Sequence, residues 1–77
     1  MSEKMTDVTM HIDENTTHDQ REALRDHLLQ HKGVMAADYH DDKPHLIVIE
    51  YDPEAANSSD FLDVATSSGL HAELIGL

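Results

Sequence analysis

V-T-M-H-I-D-E-N-T-T-H-D-Q-R-E-A-L-R-D-H-L-L-Q-H-K-G-V, Val8 to Val34, reads as a strand, a short polar loop and a long helix stopped by a glycine. Val8, Met10 and Ile12 alternate with Thr9 and His11, the period of a half-buried strand. Asp13-Glu14-Asn15-Thr16 has the composition of a turn. Thr17-His18-Asp19-Gln20 then matches a capping box, in which the Thr hydroxyl accepts from the backbone three residues on and the Gln side chain reaches back. Asp19 and Glu22 suit the positive end of the helix dipole. Leu24 and Leu28 form the apolar stripe, with Leu29 and His31 at its margins, and Lys32-Gly33 ends the helix.

Beyond Gly33, Val34 to His40 reads as a second strand with Ala37 and Tyr39 on one face, and Asp41-Asp42-Lys43-Pro44 as a turn. His45 to Asp52 is the most β-prone run, and its continuous apolar character marks a central strand. Ile47, Ile49 and Tyr51 are expected to face the helices, with Leu46 and Val48 on the other side. After Pro53, Asn57-Ser58-Ser59 caps a second helix carrying Phe61, Leu62 and Ala65 at helical spacing. Ser68-Gly69 stops it. Leu70 to Leu77 is a last strand, with Ala72 and Leu74 on one face and His71, Glu73 and Ile75 on the other. Residues 1–6 read as a loose tail and 7–77 as one domain.

The order is β-α-β-β-α-β. It predicts an α+β, ferredoxin-like split βαβ arrangement: a four-stranded antiparallel sheet with two helices on one face. Right-handed crossovers place the first and third strands in the middle. The expected core is Val8, Met10, Ile12, Leu24, Leu28, Ala37, Ile47, Ile49, Tyr51, Phe61, Leu62, Ala65 and Leu74.

Charge narrows the partners. Sixteen acidic residues face five basic ones, for a net charge of −11, so the surface repels nucleic acid and anionic membrane. Ten of the acids are Asp and only three residues are Lys. That bias fits a salt-rich compartment, where screening relieves self-repulsion, or alternatively a cationic partner surface. There is no cysteine for a disulfide or thiolate site. Met1 to Thr9 has no apolar run of signal-peptide type and no stretch reaches membrane-spanning length, so the cytoplasm is the expected location.

With Gly33-Val34 closing the first helix, Tyr51-Asp52-Pro53-Glu54 ending the third strand and Ser68 to Leu74 entering the last, the chain resembles the heavy-metal-associated domains. These are the small modules of copper chaperones and of metal-pumping ATPases, and the resemblance covers about Val8 to Leu77. It implies a G-M-x-C-x-x-C loop at the start of the first helix, where two thiolates hold soft Cu(I). Counted back from Gly33, those cysteine positions fall on Thr17 and Gln20. A hydroxyl and an amide are poor ligands for soft metals, so Cu(I) transfer by thiolate exchange is not expected. The resemblance then implies a non-enzymatic accessory or interaction module in metal or stress physiology, with no cofactor expected.

An alternative keeps a metal. The topology gathers His11, His18, His40, His45 and His71, with Asp13, Asp19, Asp41 and Asp42, at the end of the degenerate loop. Imidazole and carboxylate suit Zn(II), Ni(II), Co(II) or Cu(II), and His11, His18 and His71 flank the family's metal position. The plainer reading is scattered polar loop residues. His27 and His31, at i and i+4, share a helix face, although a helix-end histidine also suits the dipole. The methionines are not clustered. The sheet face away from the helices carries Leu46, Val48 and Ile75, either a protein-partner or homodimer surface or an ordinary half-solvated face. Enzyme readings find no support: the first loop is acidic rather than an arginine cradle for phosphate, and no nucleophile–base spacing is present.

Overall fold

The computed structural model describes residues 5–75. Six elements follow in order: β1 Thr6–Ile12, α1 His18–Gln30, β2 Val34–Tyr39, β3 Leu46–Tyr51, α2 Ser59–Ser67 and β4 Ala72–Ile75. The strands form one antiparallel sheet in the order β2-β3-β1-β4, with the first and third strands central as the crossover rule requires.

Register follows from the alternation. Val8, Met10 and Ile12 of β1 and Ile47, Ile49 and Tyr51 of β3 are buried, with Val8 opposite Ile49 and Met10 opposite Ile47. A slip of one residue would expose all six, so the apolar pattern and the pairing determine each other. Leu24 and Leu28 of α1 and Phe61 and Ala65 of α2 close the core, and Phe61 meets the ring of Tyr51 edge-on at 4.9 Å.

Three expectations need correction. Leu62 is only half-buried, because the inward stripe of α2 runs through Phe61 and Ala65 with Val64 packed beside them. Leu74 is likewise half-buried, on the short edge strand β4. Ala56 and Leu70, both in connections, are buried in the core as well. Of the tail expected at residues 1–6, the first four lie outside the described residues, and Thr6 already pairs with Tyr51 as the first residue of β1. Gly76 and Leu77 of the expected last strand also lie outside.

Gly33 joins α1 to β2 at φ +91, and a Cβ there would stand 2.9 Å from the Cβ of Ala56 and 3.0 Å from that of Ala55. Its carbonyl accepts from the N–H of Asp52 at 2.8 Å. Only glycine combines that left-handed backbone with so close an approach. This contact fixes the end of the domain opposite the β1–α1 loop.

Candidate functional site

The β1–α1 loop, the β2–β3 turn and the α2–β4 turn meet at one end. Backbone bonds bring them there: the N–H of Ile12 donates to His45 at 2.8 Å, and that of Asp13 to the carbonyl of His71 at 2.8 Å. The Thr16 hydroxyl donates to the Pro44 carbonyl at 3.2 Å.

At the start of α1, Thr17 Oγ1 accepts from the N–H of Gln20 at 3.1 Å, and Gln20 Oε1 accepts from the N–H of Thr17 at 2.8 Å. The two side chains are thus engaged with each other's backbone. They satisfy helix-end donors that would otherwise need water or a ligand.

Arg21, one residue further on, is the buried charge of the site, 6% exposed. Its Nη1 donates to the Thr16 carbonyl at 2.6 Å and to Thr16 Oγ1 at 2.9 Å, while Nη2 reaches Asp41 Oδ1 at 3.0 Å. A single guanidinium therefore ties the loop, the helix and the β2–β3 turn. The Tyr39 ring stands 6.0 Å from its centre, and the Tyr39 hydroxyl donates to Glu22. That bond, with burial second, pushes the phenol up to about 12.

The structure does bring the expected histidines to this end, but not together. His18 Nδ1 donates to Asp41 at 3.0 and 3.2 Å. His71 Nδ1 donates to Glu14 at 2.6 Å, and the same carboxylate accepts the His71 N–H at 2.8 Å. His11 Nδ1 lies 3.6 Å from Asp13. Each of the three imidazoles selected as a metal set therefore has its own carboxylate, and among the described residues no group of three or more His, Asp or Glu could hold a metal ion. His45 instead donates through Nδ1 to the Ile12 carbonyl at 2.7 Å and stacks on His11 at 5.7 Å.

These pairs shift each other's acidity. The hydrogen bond to Asp41 raises the His18 imidazole above its usual value, and the bond to Glu14 does the same for His71. In return, Asp41 is held below the ordinary carboxylate range by His18 first and Arg21 second, and Glu14 by His71.

His27 and His31 line a shallow groove between the helices with Asp60 and Asp63. His31 Nε2 lies 3.4 Å from Asp60, its Nδ1 bonds the Lys32 carbonyl, and its ring meets Phe61 edge-on. It is a half-buried helix-end histidine, as the dipole argument expects.

On the helix-free face, Val48 and Ile75 are 42% and 46% exposed, and both pair with Thr9, so the three stand in one row across β3, β1 and β4. Leu46 is half-buried beside His11. The burial of Arg21 is not legible in the sequence, since it depends on contact with the distant β2–β3 turn.

No protein-family model matches the sequence, and no curated protein does. Among solved structures, oxidised MerP from Ralstonia metallidurans superposes with a TM-score of 0.85 at 12% identity, over 95% of this chain and 100% of that one. The N-terminal domain of a potential copper-translocating P-type ATPase from Bacillus subtilis, in its Cu(I)-loaded state, gives 0.85 at 20% identity, over 95% and 90%. The apo copper chaperone of Enterococcus hirae gives 0.78 at 13% identity, over 88% and 98%. The chain has the ferredoxin-like fold of the heavy-metal-associated domains, and it has no cysteine.

Proposed function

We propose that this chain is a non-enzymatic accessory module built on the heavy-metal-associated fold, which acts through protein contacts and not by carrying a soft metal. The observation that carries the reading is the reciprocal bonding of Thr17 and Gln20 at the start of α1. Solved structures of this fold include a copper chaperone and an ATPase domain in its Cu(I)-loaded state. In this chain the start of the first helix offers a hydroxyl, an amide and a buried guanidinium, which include no soft donor and do not fit Cu(I). The likeness in fold supports a role beside metal handling or stress. The high Asp content and net charge of −11 support a salt-rich cytoplasm as the setting.

A second reading, weak binding of a divalent ion such as Zn(II), Ni(II), Co(II) or Cu(II) at the loop end, has one observation in its favour. His18 and His71 each donate Nδ1 to a carboxylate, which orients the ring and leaves Nε2 as the acceptor, the usual arrangement behind a metal-bound imidazole. Convergence of His11, His18 and His71 on one ion has no support, because among the described residues no group of three or more His, Asp or Glu could hold a metal ion.

An amide-resolved titration with Cu(I), Zn(II) and Ni(II) separates the two. The primary reading expects no saturable Cu(I) response below the micromolar range. Sub-micromolar Cu(I) binding would overturn it, and joint saturable shifts of His18 and His71 with Zn(II) or Ni(II) would install the second reading.

A further inference from the structure

The helix-free face of the sheet carries carboxylates that have no ion-pair partner among the described residues. Asp7 of β1 and Glu50 of β3 are directly paired, and both point away from the core, since their neighbours Val8 and Ile49 are buried. Like charges directly opposite each other on one face destabilise a strand pair. Asp38, paired with Val48, and Glu73, paired with His11, complete a border of four carboxylates around the exposed Val48 and Ile75 and the half-buried Thr9 between them. Among the described residues none of the four takes part in an ion pair, although six of the other acids do.

We propose that this face docks a cationic amphipathic segment of a partner protein, its apolar side on Val48 and Ile75 and its Lys or Arg side chains on Asp7, Glu50, Asp38 and Glu73. The proposal rests on the interaction-module reading above and names the chemistry of the partner. A second copy of this chain is the wrong occupant. Two such faces brought together would oppose eight carboxylates, within chains that each carry −11. A cationic side chain between Asp7 and Glu50 relieves the repulsion of that pair, so binding gains what the pairing costs.

The test uses the full chain and a synthetic 14-residue helical peptide with Leu on one face and Lys on the other, followed by amide shifts. Shifts centred on Thr9, Val48, Glu50 and Ile75 are expected. Val48→Thr with Ile75→Thr, both exposed strand positions that Thr tolerates, should weaken binding about tenfold or more. Asp7→Asn with Glu50→Gln should also weaken it, and by more than Asp42→Asn with Asp63→Asn, which removes the same charge from exposed positions off this face and which mere surface attraction would not distinguish. Shifts spread over all acidic surfaces with unchanged affinity in the Thr variant would overturn the proposal. So would a free chain that sediments as a dimer and becomes monomeric in that variant. Equal binding of a peptide with Glu in place of Lys would overturn the charge argument but leave the interaction-module reading standing. That reading fails separately, on the Cu(I) titration.

Discussion

Arg21 Nη2 lies 3.0 Å from Asp41 Oδ1, joining the first turn of α1 to the β2–β3 turn twenty residues away. The guanidinium is buried and the carboxylate is more than half exposed, so the two sides of the pair are unequal. Arg21→Gln removes three hydrogen bonds and strands the Thr16 carbonyl, and it should cost roughly 1–3 kcal/mol. Asp41→Asn leaves the Thr16 bonds intact and, at an exposed carboxylate, should cost clearly less. Urea denaturation of both variants checks the order, and equal costs would mean that Arg21 acts only through Asp41.

Gly33 and Gly69 both adopt positive φ, +91 and +81, but their surroundings differ. A Cβ on Gly69 meets nothing within 4 Å, so Gly69→Ala should cost only the backbone strain, about 1–2 kcal/mol. Gly33→Ala adds the collision with Ala55 and Ala56 and should cost clearly more. Comparing the two melting temperatures decides it.

Thr17→Ala should destabilise the domain by about 0.5–2 kcal/mol through the lost cap, and Thr17→Ser should recover most of that. Amide exchange at Gln20 gives a local readout, since its N–H loses its acceptor in the Ala variant only.

The loop-end ion pairs give stability a pH window. His18 and His71 are raised above 6.5 by their carboxylates, so their contribution is complete below that value and fades as pH climbs through the raised pKa. Asp41 and Glu14 are lowered from 3.8 and 4.5, so theirs is complete above those values and fades in acid. The melting temperature should therefore peak between pH 4.5 and 6.5 and decline on both sides. His18→Gln with His71→Gln should flatten the alkaline limb. An unchanged limb in that variant would show that these pairs contribute nothing to folding.

Eleven net negative charges occupy a domain whose radius of gyration is 11.6 Å, little more than the Debye length of about 10 Å at 0.1 M salt. Folding concentrates that charge, so the melting temperature should rise from low salt to about 0.5 M monovalent salt. A flat response would mean that the acids are already locally balanced.

Much of the fold was legible because it rests on local periodicity. Val8, Met10 and Ile12 alternate, Ile47, Ile49 and Tyr51 alternate, and the two registers meet as their patterns demand. The capping box was equally legible, since Thr17 and Gln20 lie within one helical turn. Leu62 misled because its neighbour Phe61 sets the inward direction, and the stripe then passes through Val64 and Ala65. The site was harder to read. Topology alone places His11, His18 and His71 at one end, but which carboxylate each ring meets depends on side-chain reach across separate loops. Only the turn carrying Asp41, twenty residues away, explains the burial of Arg21.

The reciprocal cap also constrains what descendants of this sequence could become. A cysteine at Thr17 alone takes away the acceptor for Gln20, and a cysteine at Gln20 alone takes away the acceptor for Thr17. Either single step loses part of the helix start and gains one thiol, where two are needed to grip a soft ion. The buried Arg21 would still stand beside the new ligands with its positive charge. Thiolate chemistry at these positions would have to be reached through less stable single variants with one thiol each, so stepwise mutation under selection for stability keeps this sequence on the capped side of the divide.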